Sequence, residues 1–157
     1  MNRIARVSVN SLGVVALIWV GMLLGVSFLA TPAKFLAPSL ALSVALDVGR
    51  HTFAIFSIVE VLGAVVLLLC SIASRSGRYP VFAALLVGGL VAAQFVWLLP
   101  ALDARVEIIL QGGVPDSSGL HTLYIIMEVG KVALLSLVAW SSFRVRHHAV
   151  VRLADAG

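Results

Sequence analysis

Charged residues stand far apart in this chain, and the stretches between them are apolar. Residues 7–33 carry no charge, and the run from Arg50 to Arg75 is interrupted by a single acid, Glu60. The run from Arg78 to Asp103 carries none, and the run from Asp116 to Arg144 holds Glu128 and Lys131. A transmembrane helix needs about 20 mostly apolar residues. The pattern therefore predicts four membrane helices, over about 11–31, 51–73, 80–100 and 119–142. The first apolar run is longer than the roughly 7–15 residues of a signal-peptide core, so it is expected to be retained.

The connections are expected to differ. Arg75-Ser76-Gly77-Arg78 reads as a tight turn. Residues 32–49 read as an outer interfacial segment, with a short helix starting at Pro38-Ser39. Pro100 is expected to kink the third helix, Gly112-Gly113 to break the chain, and Asp116-Ser117-Ser118 to cap the fourth helix. Pro32 and Glu60 in the first half, and Pro100 and Glu128 in the second, are each 28 residues apart. His51-Thr52 and His121-Thr122 lie between them. Two helical hairpins related by an axis along the membrane normal would produce this weak repeat.

Composition agrees with the pattern. Of 157 residues, 61% are hydrophobic and 11% charged, and mean hydropathy is +1.11. Soluble domains are about 25% charged, so a water-soluble enzyme is excluded, as is disorder. The net charge of +4 reflects topology rather than a nucleic-acid partner. Seven basic residues (Arg3, Arg6, Arg75, Arg78, Arg144, Arg146, Arg152) fall on one side and three (Lys34, Arg50, Arg105) on the other. By the positive-inside rule both termini face the cytoplasm. The expected setting is a bacterial inner membrane, crossed several times, with residues 144–157 as a basic cytoplasmic tail. His147-His148 belongs to that tail, which anionic lipid would attract. The only cysteine, Cys70, excludes an internal disulfide or a Cys-x-x-Cys pair.

Charges inside a span are costly and turn toward the bundle interior. His121, Tyr124, Glu128 and Lys131 follow one another at spacings that keep them on one helix face, and Arg50, Phe53, Ser57 and Glu60 repeat that spacing. Two polar stripes thus run inward from the outer surface and can face each other, with Gln94 of the third span within reach. At 1.5 Å per residue, Glu60 and Lys131 are expected about 15 Å below the outer helix ends. Two carboxyls then share one ammonium. Either one acid holds a proton, or Arg50 or Arg105 reaches in.

The candidate ligand or proton site is Glu60, Glu128, Lys131, His121, Tyr124, Arg50, Arg105 and Gln94. No Glu-x-x-His motif of a di-metal bundle is present, and no metal ligand set is assigned. His51 and His121 both fall near the outer surface, where bis-histidine haem ligation is geometrically possible, and no cofactor is named. Gly21-x-x-x-Gly25, Gly88-Gly89 and Gly130 read as close-packing positions. Trp19 and Trp97 read as packing or interfacial residues, and Trp140 as an inner aromatic anchor.

Several segments resemble a family of small bacterial four-helix integral membrane proteins without assigned function. They are Ile18-Trp19-Val20-Gly21, Phe28 to Phe35, Gly49-Arg50, Val59-Glu60, Trp97 to Arg105, and the set His121, Tyr124, Glu128, Lys131. The resemblance spans nearly the whole chain and implies four helices with the polar stripe singled out, but no activity. It departs at Ala30, where the family often has an acid, and at Ser57 and Ile58. More distantly the layout is similar to anthrone-oxygenase-like membrane proteins.

Three functions are compatible with these residues. The first is a module that binds or moves protons or a small ligand at the midplane cluster. The second is an accessory subunit or assembly factor of a larger membrane complex. The third is an enzyme acting on a lipid-soluble substrate, with His121 and Tyr124 as acid–base groups. The expected partners are the lipid bilayer and either another membrane protein or a second copy of the chain.

Overall fold

The computed structural model describes the backbone of residues 3–74 and 77–154, and the side chains of 11–74 and 77–144. The described chain is helical, with four helices long and apolar enough to cross a membrane. Helix α1 (Arg3–Leu23) runs unbroken through a π-helical stretch, Leu24–Ala30, into Thr31–Lys34. Helix α2 is Leu42–Ser74. Helix α3 is Arg78–Ala93, continued by a π-helical turn, Gln94–Leu98, and by Leu99–Leu110. Helix α4 is Leu120–Ala154.

The helices form an up-down-up-down bundle. α1 packs against α2 and α4, and α3 packs against the same two. α2 and α4 therefore face each other across the middle, and both chain ends leave from one end of the bundle.

Two prolines explain the π-helical turns. A proline within a helix has no N–H, and its ring clashes with the carbonyl four residues back. Pro32 and Pro100 each stand just after a widened turn that relieves the clash. Thr31 donates its backbone N–H and, at 2.8 Å, its hydroxyl to the Val26 carbonyl. Leu99 N–H bonds to the Gln94 carbonyl in the same five-residue pattern. The kink expected at Pro100 is thus a π turn within a continuous helix, and Pro32 has its counterpart in the other half.

The connections at the end of the bundle away from Arg3 and Ala154, called its outer end, are shorter than the sequence suggests. The interfacial segment expected over 32–49 is mostly drawn into helices, leaving only residues 35–41 between α1 and α2. The Pro38-Ser39 region is a turn. Helix α3 ends in a Schellman motif, in which Gly112 adopts φ +82° and donates to the Ile109 carbonyl at 3.0 Å. Gly113 donates to the Ile108 carbonyl at 2.9 Å. Helix α4 starts later than expected: the Gly119 carbonyl accepts from Leu123 N–H at 2.9 Å, so the cap lies at Gly119 and not at 116–118. Of the inner turn, Arg75 and Ser76 lie outside the described residues, and Gly77 takes φ +95° before α3.

The outward face is apolar. Ile18, Leu62, Leu69, Leu85, Val96 and Ile126 are exposed around the bundle, whereas Glu60, Gln94, Glu128 and Lys131 are buried inside it. That arrangement suits lipid, not water. The apolar core occupies the half of the bundle nearer the termini. There Leu12 and Ala16 of α1, Leu67 of α2, Val87 of α3, and Leu135 and Val138 of α4 interlock.

Gly13 and Gly63 let helices approach closely, and they are not those of the Gly-x-x-x-Gly motif. A Cβ on Gly63 would lie 3.2 Å from the Trp19 ring, and one on Gly13 would lie 3.0 Å from Phe143. Gly21, Gly25, Gly88 and Gly89 face open space, and a Cβ on Gly130 would make only ordinary contact with Leu90 at 3.9 Å. The close-packing role expected for Gly21 and Gly25 is therefore not realised within this bundle.

Candidate functional site

Four helices deliver polar side chains to one buried point. Lys131 of α4 sits at its centre, with no solvent exposure. Its ammonium donates to Glu60 Oε1 of α2 and lies 2.6 Å from Glu128 Oε1 of its own helix. From α3, Gln94 Nε2 donates to Glu128 Oε1 at 2.9 Å. From α1, Ser27 Oγ donates to Glu128 Oε2 at 2.9 Å, and Trp19 Nε1 approaches Glu60 Oε1 at 3.4 Å.

The π turns position two of these donors. Ser27 lies inside the first π stretch and Gln94 opens the second. Each follows from a proline downstream, so Pro32 and Pro100 help aim the groups that hold Glu128 from both flanking helices. Gly63 has a matching role on the other carboxyl: lacking a Cβ, it lets the Trp19 ring pack flat enough to bring the indole N–H to Glu60. Ser27 and Trp19 were missed in the sequence. Trp19 is hydrogen-bonded in the core instead of simply packed or interfacial.

The helix ends differ from those expected. Because α2 begins at Leu42, Glu60 lies about 27 Å from its start, whereas Lys131 lies about 16 Å from the start of α4. The two still meet, because the first turns of α2 rise beyond the start of α4. The outer end of α2 carries Arg50, bonded to Asp47 at 2.8 Å and across to Glu107 of α3 at 2.8 Å, with Asp103 at 3.7 Å.

Arg50 and Arg105 therefore do not reach the cluster. Arg50 is held in that outer ion network, and Arg105 donates to the Asp116 carbonyl. Among the described residues, the buried charges are two carboxyls and one ammonium. His121 is exposed at the outer mouth, and His51 bonds back to the Asp47 carbonyl at 2.9 Å. Trp97 faces outward, and Trp140 stacks beneath the Arg144 guanidinium at 4.7 Å. Among the described residues, no group of three or more His, Cys, Asp or Glu could hold a metal ion.

Above the cluster lies a cavity of about 700 Å³, in the outer half of the bundle. Its wall includes Ser57 and Tyr124, each about one helical turn outward of Glu60 and Glu128 respectively. The Tyr124 ring meets Phe53 edge-on at 5.1 Å, and its hydroxyl interacts with Ser27 and Glu128. His121, Arg50 and Arg105 line the same cavity farther out. The residues of the two sequence stripes thus fall into two groups. Glu60, Glu128, Lys131 and Gln94 form the buried cluster, while Arg50, Arg105 and His121 surround the mouth. Tyr124 touches both.

One buried atom in this region lacks a partner: Gln94 Oε1. A buried amide oxygen without a donor is costly. Its neighbour, Glu128, supplies a donor only when it carries a proton and the amide turns over.

No family model, curated protein or solved structure matches the chain.

Proposed function

We propose that this chain is a small multi-pass membrane protein whose buried Glu60–Lys131–Glu128 cluster binds a proton and exchanges it with the outer face through Tyr124. The observation that carries this reading is the charge count: two carboxyls on one ammonium, all buried, with no second cation paired to them among the described residues. An unneutralised charge in the membrane interior is expensive. One proton on the carboxyl pair balances the site. Gln94 supports both states of Glu128, since its amide donates to the carboxylate and its unpartnered oxygen can accept from the acid. Tyr124 connects Glu128 to the cavity, so the proton has a polar route outward. Toward the other end, the cluster is closed by Leu67, Val87 and Leu135.

The orientation belongs to the same proposal. With the termini in the cytoplasm of a bacterial cell, the cavity opens to the exterior side of the inner membrane. The basic residues Arg78 and Arg144 then lie on the cytoplasmic side.

Infrared difference spectra across a pH step test the proton site in liposomes. A protonated-carboxyl band is expected in the wild type and lost in Glu128→Gln or Glu60→Gln. A band unchanged in both variants, with the bundle intact by circular dichroism, would overturn the proposal.

A further inference from the structure

The outer cavity has chemistry of its own that the proton cluster does not use. Its inner walls are apolar, formed by Phe53, Ile58, Phe95, Leu99 and Ile109. Ile58 of α2 and Phe95 of α3 are also exposed. Lys34, the last residue of α1, also lines the cavity, near Phe53.

The three cations lining the cavity are not equivalent. Arg50 is neutralised by Asp47, Glu107 and Asp103, and Arg105 is occupied by the Asp116 carbonyl. Among the described residues, neither Arg105 nor Lys34 has a carboxylate partner, and Lys34 differs in having no hydrogen-bond acceptor either. Its ammonium has only ring faces near it, Phe35 at 5.1 Å and Phe53 at 5.9 Å, and it lies over Gly49, which leaves it room. A half-buried ammonium without an anion, lining an apolar cavity of about 700 Å³, is a headgroup site with a tail site attached.

We infer that the cavity binds a single-chain amphiphile with a carboxylate head, the carboxylate pairing with Lys34 and the chain lying along Phe53, Ile58, Phe95 and Leu99. This inference uses no residue of the buried cluster and stands or falls without it.

Photolabelling tests it in lipid nanodiscs. The probes are a long-chain fatty acid with a diazirine in its chain and the matching fatty alcohol, and labelled peptides are mapped by mass spectrometry. The acid is expected to label residues 53–58 and 95–99, and excess unlabelled fatty acid should suppress that labelling. Lys34→Gln should lower it roughly tenfold, the loss of one charge-assisted contact. The alcohol should label the same peptides weakly. Ile58→Trp, which fills the cavity from its wall and leaves Lys34 intact, should lower labelling as well. Glu128→Gln should leave it unchanged. Equal labelling by acid and alcohol would overturn the inference. So would labels scattered over outward residues such as Leu62, Leu69 and Leu85, or a phospholipid found in the cavity by native mass spectrometry.

Discussion

The two halves of this bundle are built on opposite principles. In the half nearer the termini, Leu12, Ala16, Leu67, Ala83, Val87, Leu135 and Val138 are almost completely buried against one another. Its hydroxyls are spent locally: Ser71 bonds to the Leu67 carbonyl at 2.7 Å and Ser142 to the Val138 carbonyl at 2.8 Å. The outer half holds the cavity, rimmed by ion pairs. The cluster lies on the border between them, so its surroundings are one-sided. A tight floor lies on one side of it and a hollow roof on the other.

The sharpest break of that comparison is accessibility, because reaction of a buried thiol waits for local opening. Two valines on α3 provide the pair, Val106 on the cavity wall and Val87 in the core. With Cys70 replaced by serine, Val106→Cys should react with a charged thiol reagent orders of magnitude faster than Val87→Cys. Equal rates would mean that the inner half is as open as the outer, and the one-sided site would be lost.

Next in size is the border itself. Lys131→Met leaves Glu60 and Glu128 facing each other without their ammonium, and removal of one partner from a buried ion pair costs about 3–5 kcal/mol. A loss of that order is expected in denaturant unfolding from detergent micelles. Adding Glu60→Gln and Glu128→Gln to the same variant should recover most of it. A loss that persists in the triple variant would assign the effect to packing of the lysine stem.

Much of this was legible in the sequence, and the parts that were not have physical reasons. The four helices follow from long uncharged runs, because lipid leaves the backbone few alternatives. Glu60, Glu128, Lys131 and Gln94 could be singled out because a polar side chain within such a run must find partners. Trp19 and Ser27 could not, because neither is costly enough in lipid to announce itself and both owe their contacts to neighbours: Gly63 for one, the Pro32 π turn for the other. The fate of Arg50 was also hidden. Its spacing from Glu60 suggests a shared stripe, but the acids that hold it, Asp103 and Glu107, come from a different helix. The glycine motif misled because Gly-x-x-x-Gly marks a face that permits close approach, without saying which helix, if any, takes it.

A smaller contrast compares leucines along α2. Leu67 is fully buried in the inner core, and Leu46 lines the outer cavity. Leu67→Ala should cost about 2–4 kcal/mol, since it leaves a void among fixed neighbours. Leu46→Ala only enlarges an existing space and should cost less than about 1 kcal/mol by the same measure. Comparable costs would show that the outer half packs as tightly as the inner.

The smallest effects belong to glycines on α1 and α2, and they separate true helix contacts from apparent ones. At Gly63 an added methyl would press on the Trp19 ring at 3.2 Å, and the ring cannot yield without drawing its N–H from Glu60. Gly63→Ala should therefore lose about 1 kcal/mol or more by overpacking. It should also change Trp19 fluorescence, because the indole leaves the carboxylate. Gly21 and Gly25 have nothing within 4 Å of the same methyl. There alanine meets no neighbour and gains helix propensity of up to about 1 kcal/mol. Gly21→Ala should thus be neutral to slightly stabilising for the isolated bundle. If it were destabilising by as much as Gly63→Ala, the face of α1 that looks outward would have to be covered, and the boundary drawn between the bundle and its lipid would move.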